Sequence, residues 1–94
     1  MSSSLYRSNK LNAALCDSLK PYRWRSGLSQ SALAAELGVD QALVSRVESG
    51  ERKLSFGELM VWLEALGMNE KEMLTFIGTL WSEHGSRAES LWNR

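Results

Sequence analysis

Residues 30–49 read QSALAAELGVDQALVSRVES, and the fold turns on this stretch. Leu33, Ala34 and Leu37 recur at helical spacing, Gly38 interrupts, and Val44 and Val47 resume the pattern. Two short helices at a steep angle follow, because a residue without a Cβ admits the left-handed backbone of a tight helix-to-helix turn. Ala34 is small where the later helix must cross close to it. Ser29 and Asp40 precede the two helices and can accept from their free N–H groups. With Leu33, Leu37, Val39, Val44 and Val47 turned to a common core, Gln41, Ala42, Leu43, Ser45 and Arg46 remain on the outer surface of the later helix. That strip can enter a groove.

The flanks continue the helical pattern, with no stretch of strict period-two alternation, so the chain reads as all-α. Leu11, Leu15, Leu19 and Tyr22 mark a first helix reaching about Ser26 and stopped by Gly27. Pro21 either kinks that helix or lies in the first turn of a new one capped near Asp17 or Ser18, and the second is favoured because proline suits a first turn. After Gly50, Ser55 with Glu58 forms a capping-box pattern ahead of Phe56, Leu59, Met60, Leu63 and Leu66, a fourth helix ended by Gly67. Asn69 with Glu72 repeats the signature before a fifth helix that fades by Gly85. The organisation expected is a flexible leader over 1–10, frayed at Met1 to Ser4, a five-helix domain over 11–84, and a tail over 85–94 in which Ala88, Leu91 and Trp92 could add a helical turn.

Composition sets the outer limits. Ninety-four residues with 44% hydrophobic and 23% charged side chains suit one globular domain, since chains of roughly 60 to 150 residues bury about 60 to 70% of their unfolded surface. Cys16 is the one cysteine and His84 the one histidine, which excludes an internal disulfide and leaves too few soft ligands for an ordinary zinc site. No metal or cofactor is expected. The first thirty residues hold no apolar run of membrane or signal length, so a soluble cytoplasmic chain without membrane attachment is expected. Net charge is zero but unevenly spread: residues 1–56 carry eight Lys or Arg against five acids, +3, and the remainder three against six, −3. A basic working face and an acidic far side would produce that split.

The stretch GLSQSALAAELGV followed by VSRVESGER resembles the helix-turn-helix of lambda-repressor-like, Xre-type DNA-binding proteins, over about Leu15 to Met68. The resemblance implies that the third helix lies in the major groove of double-stranded DNA while the second crosses the phosphate backbone. Gln41 would then face adenine, Arg46 would fork onto guanine, Ser45 would serve base or phosphate, and Ala42 and Leu43 would touch thymine methyl groups. Ser29 and Gln30 match the family's phosphate anchor at a helix N-terminus. Arg52 and Lys53 are candidates for a second phosphate clamp. Arg23 and Glu48 match an internal ion pair linking the first helix to the end of the third. Two departures, Ser49 before the glycine and Glu51 among the loop bases, bear on the loop's phosphate contacts.

A lone module of this kind is expected to act as a homodimer on a pseudo-palindrome, with half-sites about 34 Å apart. The fifth helix is the candidate interface, because Met73, Leu74, Phe76, Ile77, Leu80 and Trp81 span a broad apolar arc; Trp62 and Trp92 are further indole anchors. His84 on the same face would be a pH switch or, more simply, a C-terminal cation, and Cys16 a small core filler. The function expected is a transcriptional regulator, in the first instance a repressor. The alternative is an antitoxin-type autoregulator whose acidic C-terminal half binds a partner protein. An enzyme is disfavoured: no phosphate-cradling glycine loop and no nucleophile elbow occurs, no histidine lies near a serine or the cysteine, and Glu70 and Glu72 point to different helix faces.

Overall fold

Each short helix begins where a side-chain oxygen stands ready to cap it. The computed structural model describes residues 3–85. They form α1 (Ser3–Arg25), α2 (Gln30–Leu37), α3 (Gln41–Glu48), α4 (Phe56–Ala65) and α5 (Glu70–Leu80), with a π-helical turn, Trp81–Gly85, continuing α5. No strand occurs among the described residues, and the five-helix, all-α domain is the one expected. Ser29, Asp40, Ser55 and Asn69 cap α2 to α5, each accepting from the backbone N–H three residues on. Ser55 with Glu58 and Asn69 with Glu72 close complete capping boxes. Between α2 and α3, Gly38 takes φ 72° and returns its N–H to Ala35, while Val39 donates to Ala34.

The first helix differs from expectation at both ends of its reading. From Ser3 the chain is already helical, so residues 3–10, assigned to a flexible leader, belong to α1. Pro21 starts no new helix but lies inside α1. The reason is packing: Leu15, Cys16, Leu19 and Arg23 lie at three- and four-residue spacing along one buried face, and that face is continuous only if the helix is. Pro21 sits on the exposed side of α1, where the N–H it lacks leaves the Asp17 carbonyl without its helical partner on a face open to solvent.

The core gathers one stripe from each helix. Leu19, Leu33, Val44, Val47 and Leu63 are fully enclosed, with Cys16 beside them, and burial pushes the Cys16 thiol above its usual pKa. Two side chains assigned to a dimer surface are spent here instead. Trp62 is 3% exposed and Phe76 4%, and Phe76 meets the Tyr22 ring edge-on at 5.1 Å between centroids. On α4 the buried face is formed by Leu59, Trp62, Leu63 and Leu66, a stripe rotated toward Trp62, so Phe56 (66% exposed) and Met60 face outward. Val39, expected in the core, is also exposed, because the turn at Gly38 carries it past the α2–α3 contact.

The π-helical turn returns to the first half of α1. Gly85 is buried there, and a Cβ would overlap the Trp81 ring and approach Leu11. Arg7 bonds the Gly85 carbonyl and lies 5.8 Å over the Trp81 ring. His84 is exposed beside Glu83 at 3.7 Å, away from the face of α5 that packs on the core. Ala88, Leu91 and Trp92 lie outside the described residues. No described helix is long and apolar enough to cross a membrane.

Because Pro21 occupies an exposed interior position of α1, Pro21→Ala restores a helical hydrogen bond without removing core contacts. It is expected to raise stability by about 1–3 kcal/mol, read by urea denaturation with an unchanged m-value.

Candidate nucleic-acid interface

The surface formed by α2 and α3 is built from the inside outward. Arg23 on α1 and Glu48 at the end of α3 are both 6% exposed. Arg23 Nε donates to Glu48 Oε2 at 2.6 Å and a terminal nitrogen donates to Oε1 at 3.0 Å, a bidentate fork. The remaining terminal nitrogen donates to the Leu28 carbonyl at 2.9 Å, so one guanidinium ties α1, the α1–α2 loop and α3 together. Burial pushes the Glu48 carboxyl up, but hydrogen bonds from Arg23 and Gln30 and the Arg23 charge outweigh it, and the group rests below the usual glutamate range. The Glu48 hydrogen bond in turn holds Arg23 more firmly protonated.

From this pair a line of amides leads to the surface. Gln30 Nε2, at the first position of α2, donates to Glu48 Oε1 at 3.0 Å. Gln41 Nε2, at the first position of α3, donates to Gln30 Oε1 at 2.5 Å. Gln41, Ala42 and Arg46 are exposed on one side of α3, opposite the buried Val44, Val47 and Glu48. Ser45 is half-buried. Leu43, expected on the outer strip, is half-buried and packs against the core, which leaves less of it for an outside partner. Ser29 is exposed, its hydroxyl oxygen taken by Ala32 N–H at 3.0 Å and its proton free to be donated.

The loop after α3 is drawn inward on itself. Glu51 and Arg52 backbone N–H groups and the Ser49 hydroxyl all converge on the Arg46 carbonyl, at 2.9, 3.1 and 3.0 Å, closing the C-terminus of α3. Ser49 thus does the work of a helix-end donor. Arg52 forks onto Glu58, 3.1 and 3.0 Å, and Lys53 donates to Asn9 at 3.0 Å. Both loop cations expected to clamp phosphate therefore have intramolecular partners. The Arg52 hydrogen bonds, with one from the Ser55 backbone, lower Glu58 to about 2.

In the sequence Glu58 stands only as a capping-box acid and Asn9 falls in the N-terminal ten residues; neither carries a local signal for these contacts. The Gln30 link to Glu48 was equally hidden, because the residues are eighteen positions apart and only the crossing of α2 and α3 joins them. Among the described residues no group of three His, Cys, Asp or Glu could hold a metal ion.

Residues 14–76 match the helix-turn-helix domain family. The chain belongs to that family, in keeping with its resemblance to the Xre and Cro type, and the domain is of a DNA-binding class associated with transcription regulation. The match starts inside α1 and ends at Phe76, so the first turns of α1 and the π-helical turn that clasp each other lie outside it. Comparison with curated proteins and with solved structures gives no match.

Three outcomes follow from the charges. Arg23→Ala strands the buried Glu48 and should cost about 3–5 kcal/mol, measured by denaturant unfolding at neutral pH. Because the folded Glu48 carboxyl lies below its unfolded value, its contribution is complete above about pH 4.3 and is lost as pH falls further through the folded value. Arg52→Gln should return Glu58 from about 2 toward the ordinary glutamate value, followed by carboxyl NMR titration, with little change in thermal midpoint because the pair is solvent-exposed.

Proposed function

We propose that this protein is a sequence-specific double-stranded DNA-binding regulator, in the first instance a repressor, that lays α3 in the major groove and acts as a homodimer on a pseudo-palindromic operator. The observation that carries this is the placement of Gln41: an exposed carboxamide at the leading end of α3, tethered through Gln30 to a buried ion pair. A reading group held in place loses less rotamer freedom on binding. Its oxygen and remaining N–H fit the N6 donor and N7 acceptor of adenine, and each good bidentate contact discriminates by about 1–3 kcal/mol.

Arg46, exposed and without an ion pair among the described residues, has a free fork for guanine O6 and N7. Ala42 offers a methyl to thymine, and Ser45 a hydroxyl to base or phosphate. The N-terminus of α2, with the Ser29 hydroxyl and the uncommitted N–H of Gln30, suits a phosphate. Arg52 and Lys53 can add to it by exchanging Glu58 and Asn9 for phosphate oxygens, both exchanges being between exposed partners. For the dimer, Trp62 and Phe76 are withdrawn into the core, and Met73, Ile77 and Leu80 are half-buried against it. Leu74 (65% exposed), Gly78 and Trp81 (50%) supply an outward stripe at positions i, i+4 and i+7 of the α5 region, with glycine allowing close approach. The reading needs no catalytic step and no cofactor.

The antitoxin-type alternative has an observation of its own. A shallow groove of about 320 Å³ between Leu37, Val39, Leu54, Gly57, Val61 and Trp62 adjoins the exposed Phe56 and Met60, an apolar surface apart from α3. A stoichiometric protein partner recovered with the chain would favour it.

Selection from a random duplex pool should return a two-fold symmetric site. Gln41→Ala and Arg46→Ala should each erase preference at a different base pair and cost roughly 10-fold or more in affinity for the selected site. Retention of the full base preference by both variants would remove α3 as the reading element. Lys53→Ala should instead weaken all sequences alike and make the slope of log affinity against log salt shallower by about 0.9.

A further inference from the structure

The last turn of α1 and the first turns of α5 leave a gap between them. With the α4–α5 loop they enclose a cleft of about 380 Å³, within the range of about 300–1,000 Å³ that small-molecule sites occupy. Its wall is apolar: the half-buried Tyr22 ring meets the buried Phe76 edge-on, with Leu66 and Met68 beside them. Its rim carries two cations from different helices, Arg25 and Lys71. The Arg25 guanidinium lies 4.5 Å over the Tyr22 ring and pairs with no acid among the described residues. The Lys71 ammonium has no ion pair or hydrogen bond among them, and the Thr75 hydroxyl, one helical turn on, has none either. Other polar groups of the cleft are already engaged: the Ser26 hydroxyl donates to the Arg23 carbonyl at 2.7 Å, and the Glu72 carboxylate accepts from the Asn69 N–H at 2.9 Å. Two cations against the one carboxylate of Glu72 leave the cleft net positive, in a chain whose net charge is zero.

We propose that this cleft is a binding site for a small aromatic carboxylate, its ring laid against Tyr22, Phe76 and Met68 and its carboxylate taken by the Arg25 fork, with Lys71 and Thr75 completing the anion's contacts. A guanidinium meets a planar carboxylate through two parallel N–H bonds. Those bonds lie in the guanidinium plane, so stacking on Tyr22 occupies a face of Arg25 and leaves its N–H edges open. The stack also holds the fork in place before the ligand arrives, which lowers the ordering cost of binding. Ring edges and a thioether in the wall favour an aromatic guest. A second hollow, of about 210 Å³, shares Tyr22 and Phe76 but is lined by Glu83 and no cation, so the same aromatic pair serves two hollows of opposite charge and only the first suits an anion. A ligand joining Arg25 to Lys71 and Thr75 would fasten α5 to α1. No lining residue belongs to α2 or α3, and the inference stands apart from the DNA-binding reading.

The probe is phenylacetate, with the neutral phenylacetamide as a control of matching shape, added to the full chain without DNA and followed by backbone amide NMR. Saturable shifts should gather on residues 22–26 and 66–76, with a dissociation constant on the order of 1 mM, the range open to a ligand of so few atoms. Phenylacetamide should bind at least about tenfold more weakly, and Arg25→Gln should weaken phenylacetate by a similar factor, because a charge-assisted fork is lost. Thr75→Trp, which fills the cleft from an exposed position on α5, should abolish the shifts. Arg25 and Thr75 are both exposed, so each variant should keep the amide spectrum of a folded domain. Equal affinity for the acid and the amide would overturn the inference, as would wild-type affinity in Arg25→Gln or in Thr75→Trp. Shifts centred instead on the other cation–ring contacts, Lys20 with Trp24 or Arg7 with Trp81, would overturn it as well. So would the lack of saturable binding at roughly ten times the expected dissociation constant. Each of these results leaves the DNA-binding reading standing.

Discussion

The fork between Arg23 and Glu48 is the constraint on which the rest of the domain depends. Two charges taken out of water are costly, and their attraction offsets that cost only when geometry is close and every remaining donor is met. Here both conditions hold: the fork is bidentate, the spare guanidinium nitrogen reaches Leu28, and the free lone pair of Glu48 receives Gln30. The gain is as much in register as in stability. Packing of Leu19, Leu33, Val44 and Val47 brings α1, α2 and α3 together, but apolar surfaces slide with little penalty, whereas a buried ion pair has one setting. It fixes the end of α3 against α1, and through Gln30 it fixes the start of α3 as well.

Charge on the outer surface is arranged less simply than its tally suggests. The +3 of residues 1–56 includes cations that do no outward work: Arg23 is buried, Arg52 lies on Glu58, and Lys53 lies on Asn9. Arg25 rests 4.5 Å over the Tyr22 ring and Lys20 5.8 Å over Trp24, both on the far half of α1 from Arg7. Arg46 is the cation left standing on α3 itself. On the proposed DNA-binding reading, such a surface would meet phosphate by exchanging partners that are already solvent-exposed, which costs little, and would concentrate its fixed geometry on the residues proposed to face bases.

Stability and partner surface are also divided differently from the simple amphipathic picture. Small domains have little core to spare, and Trp62 and Phe76 each bury a large ring that a domain of this size uses to close itself. What α5 leaves outside is narrower, Leu74 and Trp81 with Gly78 between them. The clasp of Arg7, Leu11, Trp81 and Gly85 lengthens α1 beyond the part shared with the family and holds the end of α5 in place. The face that α5 presents is thus set by contacts at its far end as well as by the core beneath it.

Local chemistry is what the sequence by itself determined. Ser29, Asp40, Ser55 and Asn69 cap because an oxygen one or two bonds from Cβ reaches the N–H three residues on, and Gly38 turns because it lacks a Cβ; both facts are contained within a few residues. The apolar periodicity placed α2 to α5, and the family resemblance marked Arg23 and Glu48 as an internal ion pair, Gln30 as an expected phosphate anchor and Gln41 as an expected base contact. Tertiary structure decided everything that needed two distant segments at once. Pro21 remains inside α1 because a continuous buried face outweighs one lost hydrogen bond. Trp62 and Phe76 fall inward because periodicity gives the width of an apolar stripe and not its rotation about the helix axis. Arg52 and Lys53 find Glu58 and Asn9, and Gln30 finds Glu48, because long polar side chains choose partners by proximity in space, a quantity that no spacing along the chain encodes.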